Sequence, residues 1–311
     1  MTDTAAQDII HRFSFDAGPV RGQWVRLTDV LTEVSSHQPY PDNVAGLLGE
    51  MLAAVALVAD GIKFEGAVAL QSRGPGPLTT VLAECRSRHL LRGIARWPDD
   101  SAPPADVDSL QDLLGNGQLA LTLIPETTDP RSERAPYQGM VGLIDQHLAG
   151  NLERYFEESE QLPTVLRFAT DGQSVTGLLL QRLPDADHAT EIELDQAEAF
   201  WEEIGILTAT LTEAELAGLD PQALLSRLYA EHVLTLQPPR SLAFQCTCSR
   251  GKTRDTLQAF SRQELMELLE EDIPPKAPGE ILVTCEICGA TERFDSFDVH
   301  MMFESETPRI H

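Results

Sequence analysis

Phe244-Gln245-Cys246-Thr247-Cys248-Ser249-Arg250 and, after an intervening segment, Thr284-Cys285-Glu286-Ile287-Cys288-Gly289 set the organisation of this chain. Two close cysteine pairs separated in this way form the pattern of a structural four-cysteine zinc site, in which each short pair offers two thiolates to one tetrahedron. Gly289 suits the left-handed backbone that closes such a turn. The pairs differ in character. C-x-x-C is common in zinc ribbons and thiol oxidoreductases, whereas C-x-C is unusual, because a disulfide across it closes a small, strained ring. Strained disulfides are the more reducible, regulatory ones. The spacing admits a plain structural zinc knot and a redox-responsive zinc site alike.

Working outward, the 311 residues suffice for one large domain or two smaller ones, and a hydrophobic content of 42% allows a sizeable core. The formal net charge of −26 opposes nucleic acid and anionic membrane surfaces as partners. Met1 to Asp8 shows neither a basic n-region nor an apolar h-region, and the apolar run Met51 to Ala59 is too short to span a bilayer. The expected setting is cytoplasmic. Thiols stay reduced there, so clustered cysteines read as metal ligands before disulfides.

Residues 1–184 read as a mixed α/β core with a largely antiparallel sheet. Strands are expected over 20–27, 66–72, 78–85, 90–97, 119–125, 137–143, 165–170 and 175–183. Thr28 is placed to cap a short helix through Glu33. From Pro41 onward, Val44, Leu47, Leu48, Met51, Leu52, Val55, Ala56 and Ala59 give the period of a helix buried along one broad face. A second helix spans 148–160. Gly74-Pro75-Gly76-Pro77 marks a hairpin rather than a phosphate cradle, and Pro98 to Asp108 an exposed acidic loop. Cys85 shares strand parity with Val81 and Ala83, so it points into the core as a small hydrophobe.

Residues 185–243 change in composition. From Leu183 to Ser226 there is no lysine or arginine, while acidic residues recur from Asp185 and Asp187 to Asp220. Ala197, Phe200, Trp201, Ile204, Leu207 and Leu211 nevertheless keep helical spacing. Thr212-x-x-Glu215 fits a capping box, and Asp220-Pro221 a cap and first turn. Two readings stay open: a helical linker weakly held on the core, and a permanently docked subdomain.

Residues 244–311 hold the cysteines, with an acidic helix over 261–270 and a strand over 281–284. The fold class is therefore α+β, with a core, a helical linker and a small C-terminal zinc-binding domain built on four cysteines. Structural zinc contributes ~10–16 kcal/mol of apparent binding energy in small peptides. That exceeds most of the ~5–15 kcal/mol that holds a typical domain folded, so losing the metal should unfold this region.

The chain resembles the heat shock protein 33 family, the bacterial redox-regulated holdase chaperones, from about Arg21 to Phe303. The resemblance rests on Tyr40-Pro41, Leu47-Leu48-Gly49-Glu50, Lys63-Phe64-Glu65-Gly66, Gly74-Pro75-Gly76-Pro77-Leu78 and Leu91-Arg92-Gly93-Ile94-Ala95-Arg96. Tyr137-Gln138-Gly139, Tyr155-Phe156, Ser159-Glu160-Gln161-Leu162-Pro163-Thr164 and the two cysteine segments extend it. It implies a substrate-binding core, a metastable linker and a redox-switch domain. It further implies an inactive, reduced form with Zn2+ on Cys246, Cys248, Cys285 and Cys288. Oxidation would turn these same cysteines, as neighbours, into two disulfides, release zinc and unfold the linker. Unfolding client proteins would then be held without ATP, by a monomer when reduced that becomes a homodimer when activated. This sequence departs from the family pattern in a longer loop at Ile273 to Gly279, in Gly251, where an acidic residue is usual, and in Glu292, where an aromatic is usual.

No catalytic constellation accompanies the cysteines, so an enzyme is not expected. The eight histidines are scattered. A zinc deaminase lacks its H-x-E partner, and Thr284 stands where the proline before C-x-x-C belongs. A thiol oxidoreductase would place C-x-x-C at a helix N-terminus. A nucleic-acid-binding zinc ribbon is opposed by the charge.

Overall fold

The computed structural model describes residues 8–98, 101, 104, 105, 107, 109–126, 135–184, 190–270 and 279–304. The chain divides into two compact units, Met1–Gln245 and Cys246–His311. Most of the acidic loop from Pro98 to Asp108, linker residues Asp185 and Asp187, and the long loop up to Pro278 lie outside the described residues.

The first unit begins with β1 (Ile9–Phe15), β2 (Val20–Leu27), α1 (Asp29–His37) and α2 (Asp42–Gly61). Then come β3 (Gly66–Arg73), β4 (Thr80–Arg86), β5 (Leu90–Arg96), α3 (Leu110–Leu114), β6 (Gln118–Pro125) and β7 (Tyr137–Gly142). After α4 (Leu148–Glu160), β8 (Thr164–Thr170) and β9 (Val175–Arg182), three helices follow: α5 (Glu191–Ala209), α6 (Glu213–Gly218) and α7 (Pro221–Leu228). The short strands β10 (Leu234–Leu236), β11 (Arg240–Ser241) and β12 (Ala243–Phe244) close the unit.

Where the sequence suggests one sheet for this unit, its described residues form two. One runs β10-β1-β2-β9-β8 with β11 also on β1, and the other runs β12-β5-β4-β3-β6-β7. Every pairing is antiparallel except that of β12 with β5. Helix α2 packs against both sheets, which explains its composition. Leucine, alanine and methionine are strong helix formers, and a helix apolar on all sides is a buried one. Burial is continuous from Leu47 to Ala59 apart from the half-buried Glu50, so the helix is enclosed rather than buried along one face. Its length and apolarity would also satisfy a membrane span, but here most of that surface is covered by the protein itself. Cys85 on β4 is fully buried in this core, and burial pushes its thiol up to about 12.

Alternation along the first sheet serves two faces. Val25 and Leu179 face α2, whereas Phe13, Trp24, Leu178 and Leu180 face the other way. That second face receives Phe200 and Ile204 of α5, Leu216 of α6, and Leu224, Leu225 and Leu228 of α7. Trp201, Leu207 and Leu211 are only partly covered there. Both anticipated caps are present: the Thr212–Glu215 box, and Asp220 accepting from Ala223 N at 2.9 Å. A further Thr190–Glu193 capping box opens α5. Cations from outside the basic-free stretch offset part of its charge, with Arg182 on Glu198 and Arg227 on Glu215, and His232 Nε2 lies 3.3 Å from Glu203. Thr28 starts α1 without a side-chain cap of its own. Instead, the Asp8 carboxylate accepts from the amides of Thr28, Asp29 and Val30.

Candidate metal centre

The second unit contains α8 (Arg250–Leu257), α9 (Arg262–Glu270), β13 (Glu280–Thr284), β14 (Thr291–Asp295) and α10 (Ser296–Glu304). Its core is thin, built on Leu257, Leu265, Leu269, Ile281, Phe294, Val299 and Met302. So small a core leaves such a unit marginal unless a cross-link supports it.

Two local structures present the cysteines. Cys246 and Cys248 lie on extended chain that ends at Ser249, whose hydroxyl caps α8 by accepting from Lys252 N at 3.3 Å. Cys285 and Cys288 lie in the turn joining β13 to β14. Cys285 N donates to Ala290 O and Gly289 N to Cys285 O, both at 2.8 Å. Gly289 takes φ +65°, the left-handed conformation expected of it. This C-x-x-C therefore occupies a hairpin turn and not a helix N-terminus.

The four sulfurs lie within 4.8 Å of one another. Cys246 Sγ is 3.7 Å from Cys285 Sγ, and Cys248 Sγ is 3.3 Å from Cys288 Sγ. No disulfide joins them. A tetrahedron of thiolates at a Zn–S distance of about 2.3 Å has edges of about 3.8 Å, close to the wider separation. Backbone amides complete the setting: those of Ile287 and Cys288 donate to Cys285 sulfur, and that of Ala290 to Cys288 sulfur.

Acidity across the cluster is uneven. The Cys248 thiol is pushed up by its hydrogen bond to Cys288 and then by burial. Burial likewise raises Cys288. Burial acts upward most strongly on Cys285, but the two amides together with hydrogen bonds from Cys288 and Cys246 outweigh it and the net shift is down. Four sulfurs this close cannot all ionise without a positive charge among them. The donor set, its geometry and its charge thus fit a divalent, thiophilic metal ion, with no protein position left open for a reacting ligand. Among the described residues, no histidine or carboxylate joins this group. Cys248 is the exposed member, beside a cavity of about 360 Å3 lined by Ser249, Lys252, Thr253, Val283 and Cys285.

Arg250 locks the segment after the first pair, a role the motif alone does not disclose. Its guanidinium donates to Asp298 at 2.8 Å and to Arg293 O at 2.6 Å, and lies 4.4 Å above the Phe294 ring. It also reaches Glu292 at 3.4 Å, so the acid at that unusual position gains a partner. An arginine directly behind a cysteine pair at a helix start was the available signal.

The family model described as Hsp33 protein matches residues 8–295. The 33 kDa chaperonin of Azotobacter vinelandii is 40% identical over 296 residues, covering 95% of this chain and 94% of that one. Its counterpart in Shewanella loihica is 37% identical over 300 residues, covering 96% and 97%. The crystal structure of the 33 kDa chaperonin (heat shock protein 33 homolog) of Thermotoga maritima superposes with a TM-score of 0.79 at 20% identity. That match covers 96% of this chain and 99% of the other, and it establishes the shared fold.

Proposed function

The chain belongs to the Hsp33 family, and from that membership we propose that it is an ATP-independent, redox-regulated holdase acting in the cytoplasm on unfolding proteins. The observation that carries the reading is the convergence of Cys246, Cys248, Cys285 and Cys288 within 4.8 Å in a unit with little other core. In the reduced, inactive form these thiolates hold one Zn2+. When bound, zinc supplies the positive charge that keeps all four sulfurs ionised, and it ties the start of α8 to the β13–β14 turn.

Activation begins at the sulfurs. A thiolate attacks a peroxide oxygen, the O–O bond breaks, and a sulfenic acid forms with loss of hydroxide or water. A neighbouring thiolate then attacks that sulfur and expels hydroxide. Each disulfide thus removes two electrons from the protein and reduces one peroxide to two waters once protons are supplied. Cys246 with Cys248, and Cys285 with Cys288, are neighbours within single segments, so their bonds can form and persist as the unit opens. Disulfide sulfurs are poor metal donors, and the thin core is then left without its cross-link.

Loss of the switch unit in turn loosens the linker, 185–243, whose helices cover apolar surface on the first sheet. The uncovered face of residues 1–184 and the released helices then hold clients, with the active form a homodimer. No enzymatic turnover is required, and the acidic balance of the chain disfavours nucleic acid.

Light scattering of a thermally unfolding client tests the reading. Suppression is expected from protein oxidised under mild heat and not from the reduced, zinc-loaded form. Equal suppression by both forms would remove redox control, and none by either would remove the holdase.

A further inference from the structure

Although the chain carries a net charge of −26, cations from separate elements converge at the C-terminal end of α2. A cavity of about 440 Å3 there is lined by Arg12 of β1, Arg21 of β2, Lys63 just after α2, and Arg88 of the β4–β5 turn. Asp60 is the one carboxylate among its lining residues. We propose that this cavity is a binding site for an oligophosphate group, a compact anion carrying two or more phosphates.

Part of the cluster has structural work. Arg12 donates to Asp60 at 2.6 and 3.1 Å and to the Asp60 carbonyl, and Arg240 pairs with the same carboxylate. Arg21 donates to Gly61 O at 2.9 Å and to Gln181 Oε1 at 2.6 Å, both neutral acceptors. These contacts satisfy the last carbonyls of α2, a common use of cations at a helix end.

The charge, however, far exceeds that need. Four cations line the cavity and a fifth, Arg240, pairs with its one buried carboxylate, against that carboxylate and the roughly half negative charge of a helix C-terminus. Lys63 and Arg88 make no ion pair among the described residues, and they are not needed for the cap. Arg88 also holds φ +65°, a turn conformation that favours glycine or asparagine over a long cationic side chain. Gln23 lines the same cavity from a fully covered position. Its Nε2 donates to Asp60 at 2.7 Å, whereas its buried Oε1 has no hydrogen-bond partner. Guanidinium forks match phosphate oxygens in pairs, and the side chain of Arg12, which lines the cavity, keeps 41% exposure to offer.

Titration calorimetry of the reduced full-length protein with inorganic tripolyphosphate, and separately with ATP, tests the site. Saturable binding of one tripolyphosphate per chain, weakening with added salt, is expected. Lys63→Gln/Arg88→Gln should weaken it by about tenfold or more, with Lys63→Gln alone intermediate. Arg73→Gln/Arg96→Gln, which removes equal charge from the ends of other strands, should leave it within about twofold. Equal affinity for ATP assigns recognition to the phosphate chain, and tighter ATP binding assigns it to a nucleotide. Absence of saturable binding, or equal weakening by the two double variants, overturns the proposal.

Discussion

Phe200 of α5 lies directly over the backbone of Gly18: a β-carbon on Gly18 would come within 2.2 Å of Phe200 Cδ1 and 2.7 Å of Cγ. The ring has little room to retreat, because it meets Phe15 edge-on at 5.6 Å and His232 at 5.5 Å. One residue of the β1–β2 connection thus sets how closely α5 can approach the sheet.

Gly18→Ala should therefore loosen α5 without disturbing the core around α2. Overpacking of this kind costs about 1–3 kcal/mol. The expected outcome is a red-shifted Trp201 emission in the reduced protein and partial client holding before any oxidation. Wild-type emission and wild-type inactivity in the variant would show that α5 yields elsewhere.

Loss of one sulfur should be far more damaging inside the cluster than outside it. Cys288→Ser removes one of four converging donors and should release zinc and melt the second unit first. Cys85→Ser lies in the core of the other unit and should keep one zinc per chain. Metal analysis beside far-UV dichroism separates the two. Zinc loss from Cys85→Ser would reject the ligand assignment.

Glu50 gives the linker a pH dependence. Burial, followed by the charge of Glu213 on α6, raises its carboxyl from 4.5 to about 7. Asp42 and His147 line the same cavity as Glu50. Because the folded-state value is raised, the folded protein binds the proton more tightly than the unfolded chain. Its contribution is full below pH 4.5 and falls away as the pH climbs towards 7. Glu50 remains half-buried, so solvent reduces the size of the effect. Glu50→Gln should raise stability at pH 8 by about 1 kcal/mol and change little at pH 4.5. Thermal melts at both pH values read this directly, and a variant that destabilises at pH 8 would contradict it.

Local chemistry made much of this legible. Helix α4 has the bounds its apolar spacing suggests, and the Thr212–Glu215 and Asp220-Pro221 caps form because each needs only neighbours in sequence. The cysteine cluster was legible for the same reason, since the two members of each pair are close neighbours in sequence. What escaped depends on distant partners. Strand β1 interrupts its apolar residues with His11 and Arg12, which find Gln237 O and Asp60 only in the folded chain. Helix α8 buries Leu257 alone, so it has no stripe to detect and stands on the Ser249 cap and the Arg250 network. The cationic cavity draws single residues from four places, leaving no motif at all.

Oxidation should expose the acidic linker around Trp201. In α5, Phe200 and Ile204 are buried on the sheet, yet Ile192 and Ile206 remain 70% and 69% exposed, so the helix carries more apolar surface than the dock covers. The acidic residues of α5 and α6 find cations only at the margins: Arg182 serves Glu198 of α5 and Arg227 serves Glu215 of α6, while Glu191 and Glu202 have no ion pair among the described residues. Half-exposed pairs such as these contribute about 0–1 kcal/mol each, so the sheet contacts carry most of the hold. On the proposed mechanism, unfolding of the second unit should tip that balance towards release. Trypsin has no site between Leu183 and Ser226, so a glutamate-specific protease is the appropriate probe. Cleavage at Glu191, Glu198, Glu202 or Glu203 should rise sharply after oxidation with mild heat, together with a red shift that Trp201→Phe diminishes. Continued protection of these bonds in a form that already prevents aggregation would show that α5 to α7 are a fixed subdomain, and the client-holding surface would then have to lie elsewhere on the chain.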